Sequence, residues 1–368
     1  MPQALGNSSS QEQAAVYYAP ESIVSIAIFT IVFIIGIPGN GLVIWVAGLK
    51  MKRSVNTVWF LNLAVADILC CLSLPFFIVH LALHEHWPYG LFLCKAIPSV
   101  IIFTMFASIF LLMAISIDRC LLVMKPVWCQ NHRTVKFTLL ICGGIWILAF
   151  IFCCPVFYYR ETSTYDGKME CGYNFGVGDY IDDPVNVSLN ELWEEYSTYN
   201  DSDLWAHTYE GNDSVPLALM VINITRVVFG FVLPFGIMAV CYTLIFFRTR
   251  ANQFNKPHNR MLRTIVFVVA AFFICWAPYH VVGILSIIPS LGTGLMESLI
   301  LWDHLSTALA YANSCINPPL YVFVGRDFRA KVRQSVQRIL EGAFSEELTS
   351  STLHRNQASA EKNLSSTL

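Results

Sequence analysis

The chain has 368 residues, 55% of them hydrophobic and only 13% charged, with a net charge of −2 and a mean hydropathy of +0.56. Soluble domains carry about 25% charged residues, so an ordinary water-soluble enzyme or binding domain is excluded and a membrane protein is indicated. The small net charge says little by itself, because the charges are segregated by region, and no stretch reads as a nucleic-acid partner site.

Residues 1–21 lack the basic region and apolar core of a secretory signal and read as an extracellular tail, with Asn7-Ser8-Ser9 as an exposed glycosylation sequon. Seven apolar runs then reach the ~20 residues that cross a bilayer as a helix. They lie at about 22–49, 57–83, 92–124, 136–158, 217–247, 261–288 and 296–323, the fifth and seventh interrupted by Arg226 and Asp303. The pattern specifies an all-α fold, a seven-transmembrane helix bundle over 22–323. Lys50, Lys52 and Arg53 follow the first run, and Lys125, Arg133 and Lys136 lie between the third and fourth. Arg248, Arg250, Lys256, Arg260 and Arg263 lie between the fifth and sixth, and Arg326, Arg329, Lys331, Arg333 and Arg338 follow the seventh. The alternate loops hold chiefly Lys95 and Lys168. By the positive-inside rule the basic loops and the C-terminus are cytoplasmic and the N-terminus extracellular, as expected of a multi-pass plasma-membrane protein.

Most of the 12 cysteines lie inside the apolar runs, where small buried hydrophobes are the simplest reading. Cys94 and Cys171 instead face the oxidising side, and a disulfide between them would pin the second outer loop over the bundle. That loop, about 160–216, is rich in acid and tyrosine (GDYIDD, WEEYSTYNDSD), and Asn186, Asn200 and Asn212 head sequons in it. It reads either as a solvated, glycosylated loop or as a docking surface whose acidity speeds the approach of a basic ligand. Tyr173, Tyr180, Tyr196 and Tyr199 are sulfation candidates that would add negative charge. After the seventh run, GRDFRAKVRQSVQRIL spaces Phe328, Val332, Val336 and Leu340 by about four, with basic residues on the other face. An amphipathic helix over 325–341, lying on the lipid of the inner leaflet, satisfies both features. Residues 342–368 form a Ser/Thr-rich tail. Ser345, Thr349, Ser350, Ser351 and Thr352 are phosphorylation candidates there, although a merely disordered tail fits the composition equally well.

Each run also holds residues that lipid would not select: Asn40, Asp67, Asp118-Arg119, Trp146, Pro234 with Tyr242, CWAPYH (275–280) and NSCINPPLY (313–321). An ionisable group at that depth is a functional-site hypothesis, while Asn40 and the serines also suit helix–helix packing. In this order, one set per run, the motifs resemble the rhodopsin-like family of G-protein-coupled receptors, and the resemblance extends over 22–341. It implies that Asp67, Asn40, Ser108, Asn313 and Asn317 form a polar centre able to hold an allosteric sodium ion, with Thr104 standing where relatives often carry a longer amide. It further implies that Trp276, above Pro278, senses the ligand. Arg119 is held by Asp118 in the silent state and freed toward a heterotrimeric G protein, with Tyr242, Asn317, Pro318 and Tyr321 completing the switch. Arrestin and receptor kinases would engage the tail. Cys120 replaces the family's usual tyrosine, and Pro319 follows Pro318.

CCLSLPF (70–76), HWPYG (86–90), SIDRCLLV (116–123), KPVWCQNHRT (125–134) and FSEELTSST (344–352) narrow the resemblance to the chemoattractant branch. Within it they are most similar to the receptors for the complement component 3a anaphylatoxin, whose second outer loop is much longer than this one. The resemblance implies an anaphylatoxin peptide ligand, inhibitory-class G proteins, and a role in chemotaxis and inflammation. Pro98-Ser99-Val100-Ile101 offers no acid where an amine-binding receptor would carry one. Arg160 and Arg226 instead suit a peptide's terminal carboxylate, which arginine grips bidentately, and Asp303 suits a terminal guanidinium. His280 and His304 are further candidates for the same pocket, and an internal Arg226–Asp303 ion pair is the competing reading.

Neighbouring readings are a receptor for complement component 5a, formyl peptides or chemerin, or a non-signalling scavenger of such a peptide. A retinal pump needs a lysine in the seventh run, and 296–323 has none. Duplicated halves, as in many transporters, are not evident. The nine histidines are scattered without metal-ligand spacing, and no enzyme constellation or resident cofactor is expected.

Overall fold

The computed structural model describes residues 20–165, 167–175, 216–251, 259–288 and 293–324, with 330, 331, 333 and 334 beyond them. Asn7, Asn186, Asn200, Asn212, Tyr180, Tyr196, Tyr199, the five tail phosphorylation candidates, most of the expected helix over 325–341 and the side chain of Tyr321 lie outside the described residues.

The seven apolar runs are helical. They comprise α1 (Pro20–Trp45, continued by a π-helical turn, Val46–Lys50), α2 (Val55–Ala82), α3 (Gly90–Met124) and α5 (Val135–Tyr159). The fifth span is α6 (Leu217–Val227), a π-helical turn (Val228–Val232) and α7 (Leu233–Ala251); α8 (Asn259–Leu285) and α9 (Thr293–Val324) follow. Among the described residues, six spans are long and apolar enough to cross a membrane by length and composition. The remaining one, α9, packs against α1, α2 and α8 and closes the bundle. Caps set the boundaries that apolarity blurs. Ser54 and Thr57 form a reciprocal capping box that starts α2, and the Thr134 hydroxyl accepts from Phe137 N to start α5.

Helix α3 is the central post, touching α2, α5 and α7 as well as the loop above it. Its Phe106, Ala107, Ile109 and Leu111 are fully buried, in one core with Leu63, Leu74, Phe272 and Tyr311. The perimeter is the reverse: Ile34, Leu140, Phe150, Ile274 and Phe247 are well exposed. Apolar surface on this scale is what a lipid solvent tolerates and water does not. Trp146 on α5 keeps its polar edge inward, donating to Asn62 Oδ1 at 2.9 Å.

Two elements were not legible in the hydropathy. A short helix, α4 (Pro126–His132), starts with proline at its first turn, where a missing N–H costs nothing. The loop after α5 begins as a β-hairpin, β1 (Arg160–Tyr165) against β2 (Lys168–Tyr173), antiparallel with Arg160 opposite Tyr173. Gly167 supplies the positive φ of its turn, +74°. The Cys94–Cys171 disulfide ties β2 to the start of α3. The Trp87 N–H adds a bond to Met169 O at 2.7 Å, and Met169 N–H donates to His86 Nδ1 at 3.1 Å. The hairpin therefore sits as a fixed roof at one end of the bundle, the hairpin end.

Candidate functional site

Beneath this roof stand the two arginines. The hairpin register sets Arg160 across from Tyr173, so its guanidinium lies 4.5 Å from the Tyr173 ring centre while Nη1 donates to Cys171 O at 3.0 Å. Tyr173 in turn stacks on Phe175, 5.5 Å between centroids. Burial pushes the Tyr173 phenol up, yet the Arg226 and Arg160 guanidiniums outweigh burial and hold it below the usual phenol range. The two guanidiniums favour negative charge on an oxygen at this point.

Arg226 occupies the last turn of α6, directly before the π-helical turn. Pro234 lies just beyond and removes one helical N–H donor, which fits the local switch to wider turns. A Cβ on Gly230 inside that turn would stand 3.1 Å from Met105 Cε, so the Met105 side chain would have to give by a few tenths of an ångström. The Arg226 guanidinium donates to Tyr279 OH and to Asn223 Oδ1, the latter at 2.8 Å. An ion pair between Arg226 and Asp303 is not formed. The ion pairs among the described residues include Asp118–Arg119 and Asp118–Arg133, and His304 also lies within 3.5 Å of Glu85. The charge inside the span, costing at least ~2.5 kcal/mol in lipid, is thus offset by a phenol and an amide rather than by a carboxylate.

Asn223 is buried, and its side-chain oxygen is committed to Arg226, so the Asn223-Ile224-Thr225 sequon is a chance match inside a helix. Asp303 is exposed. Next to it, His304 Nε2 lies 3.5 Å from Glu85 Oε1, in a turn where His84 and Glu85 both take positive φ. His280 is buried, with its ring 5.1 Å from that of Phe231. Tyr279, which sequence reasoning passed over inside CWAPYH, is the acceptor for Arg226. Its ring meets Trp276 edge-on at 5.6 Å, so Arg226, Tyr279 and Trp276 are in continuous contact.

A second polar centre lies between α1, α2 and α9. Asp67 is buried, and Asn317 Nδ2 donates to its Oδ2 at 2.8 Å. Asn40 Nδ2 donates to Ser314 O at 2.8 Å and to Gly36 O at 3.1 Å. Ser108 and Asn313 are buried, while the Thr104 hydroxyl is turned back to Ile101 O. Asn40 Oδ1 and Asn317 Oδ1 are buried without partners. One carboxylate and two unclaimed amide oxygens are a hard-cation donor set.

At the end opposite the hairpin, Arg119 is 3% exposed. It contacts Asp118 at 3.5 Å and donates to Asn56 Oδ1. One turn away, Tyr242 OH and Ser116 Oγ are 3.0 Å apart. Sequence reasoning named Asp118, Arg119 and Tyr242 here but missed Arg133 and Asn56, whose only signals were a basic loop residue and a helix-start asparagine.

Comparison with known proteins fits this architecture. Residues 39–190 and 197–321 match the family described as 7 transmembrane receptor (rhodopsin family). The chain belongs to that family. Its relatives include the C3a anaphylatoxin chemotactic receptors of Mus musculus, 41% identical over 95% of this chain and 96% of the relative, and of Homo sapiens, 42% over 90% and 92%. The Formyl peptide receptor 2 of Mus musculus is 39% identical over 88% of this chain and 86% of its own length. The mouse anaphylatoxin-receptor alignment spans 457 positions against a 368-residue chain, so that relative carries inserted residues that this receptor lacks. The Oncorhynchus mykiss C3a anaphylatoxin chemotactic receptor, 41% identical, aligns over only 330 positions. This receptor is a membrane-spanning protein of a non-enzymatic family.

Proposed function

We infer that this receptor binds the complement component 3a anaphylatoxin through the peptide's C-terminal arginine and signals to inhibitory-class G proteins. The observation that carries the reading is the charge arrangement below the hairpin. Arg160 and Arg226 are held by a carbonyl, an amide, a phenol and aromatic faces, with no carboxylate among the described residues bonded to either. Two guanidiniums kept in place by neutral acceptors retain full attraction for an incoming carboxylate, and exposed Asp303 is available for a terminal guanidinium. A free C-terminal arginine supplies both ionic groups. The names of the relatives at 41–42% identity support the same ligand.

In this reading the hairpin end faces outside. Ligand carboxylate drawing on Arg226 is felt at Tyr279 and Trp276, and the shift of packing ends with release of Arg119 to the G protein. Agonist and G protein then bias one equilibrium from its two ends. The Asp67 centre would hold sodium in the silent packing, through Asp67, Asn40 and Asn317. Tail phosphorylation and arrestin binding complete the proposed cycle.

The test is calcium or cAMP response and direct binding in transfected cells, using the anaphylatoxin with and without its terminal arginine. A large loss of affinity on removing that arginine is expected, whereas equal responses to both forms, or a response only to formyl peptides, would refute the assignment. Binding without any G-protein response would identify a scavenger.

A further inference from the structure

Arg133 lies between the third and fourth spans, where its charge alone reads as a topology signal. Its backbone is fixed on both sides. Its N–H donates to Cys129 O at 3.0 Å, closing α4, and the next residue, Thr134, caps α5. From that position Nε donates to Asp118 Oδ1 at 2.7 Å and Nη2 to Asp118 Oδ2 at 3.0 Å, a two-pronged grip. Arg119 reaches the same carboxylate through one 3.5 Å contact. The Asn56 side-chain oxygen also serves both guanidiniums, accepting from Arg133 Nη2 at 2.6 Å and from Arg119 Nη2. Arg133 thus has the better geometry at Asp118, and Arg119 keeps a weak contact, an amide bond and a buried Nε without a partner.

Two physical consequences act in one direction. Asp118 is only 12% exposed, and a buried carboxylate stripped of its sole cation is strongly destabilised. With Arg133 in place, departure of Arg119 leaves that carboxylate bidentately paired. The two guanidiniums also repel each other across the shared Asn56 oxygen, which weakens the hold on the more loosely bound one.

We propose that Arg133 is a positioning residue of the activation switch, holding Asp118 and Asn56 so that Arg119 can be released without stranding the carboxylate. It makes activation easier; it is not an additional lock. The inference rests on the signalling half of the proposed function and is independent of which peptide binds.

The experiment uses the full chain in membranes with purified inhibitory-class G protein, reading guanine-nucleotide exchange with and without the anaphylatoxin peptide. Arg133→Gln is expected to lower basal exchange and to shift peptide potency about tenfold to higher concentration, while peptide affinity measured without G protein stays at the wild-type value. Arg133→Lys, which keeps the charge but not the two-pronged grip, is expected to recover part of the loss. In an Asp118→Asn background Arg133→Gln has little further effect. Unchanged or increased exchange in Arg133→Gln, or failure of the lysine variant to rescue, would overturn the proposal. A parallel double-mutant cycle reads the melting temperature of the detergent-solubilised wild type, Arg133→Gln, Asp118→Asn and the double variant. Strong non-additivity is expected, and additivity overturns the pairing. The melting cycle needs no ligand, so a chain that ignores the peptide would refute the proposed function while leaving this inference to be decided separately.

Discussion

Two arginines at one end of the bundle and two at the other are treated in opposite ways. At the end away from the hairpin, Arg119 and Arg133 share the Asp118 carboxylate and the Asn56 amide, so one of the two charges is compensated within the protein. At the hairpin end Arg160 and Arg226 are held by neutral oxygens and aromatic faces, and Asp303 bonds to neither. Neutral acceptors meet the hydrogen-bond geometry of a guanidinium without cancelling its charge. One end is therefore built to attract an anion from outside the protein, and the other to keep an internal balance until a partner displaces it.

Removing the surplus charge has the largest expected effect. Arg226→Ala should weaken anaphylatoxin binding by roughly 30- to 4,000-fold, the ~2–5 kcal/mol range for deleting one member of a buried charge pair. Competition binding on surface-matched cells measures it, and a change below about threefold would mean that Arg226 is structural. Next comes Asp303→Asn, expected to reduce the preference for the arginine-ended peptide over the truncated one by ~10- to 150-fold, the worth of about 1.5–3 kcal/mol for a charged hydrogen bond. An undiminished preference in the same assay would free Asp303 of that role.

The contrast between the two ends can also be erased by design. Asn223→Asp would give Arg226 an internal carboxylate like the one at Asp118, and peptide affinity should fall by about tenfold through competition for one guanidinium. Increased affinity would show that the neutral acceptor is not what keeps Arg226 available. The smallest effect concerns the same residue. Asn223→Gln should leave the glycan mass unchanged on deglycosylation and electrophoresis, because a buried helical asparagine bonded to Arg226 cannot be presented for modification. A lost glycan would contradict the position of α6.

Much of the fold could be read from hydropathy because lipid imposes a single rule: backbone groups must be satisfied within each helix. The seven runs and their helices agree apart from the ends, where side-chain caps at Ser54 and Thr134 set boundaries that apolarity does not see. Arg160, Arg226, Asp303, Asp67 and Arg119 could all be singled out as charges at apolar depth, and the Cys94–Cys171 bond as two cysteines on one side. Their partners could not. An Arg226–Asp303 pair is the natural guess from charge alone, yet Tyr279 and Asn223 win because α6 and α8 bring them within bonding distance. The hairpin over the pocket was hidden in a loop whose acidic, sequon-rich remainder dominates its composition.

The sequence by itself determined that this chain crosses a membrane seven times and which ionisable groups lie where only function or pairing can keep them. Those conclusions follow from transfer free energies, which depend on residue type and spacing. The tertiary structure alone decided that Arg160 lies over Tyr173, that Arg226 answers to a phenol and an amide, and that Arg133 grips Asp118. Those outcomes depend on hydrogen-bond geometry at distances of a few ångströms, within one helix turn, across the hairpin register and between packed helices.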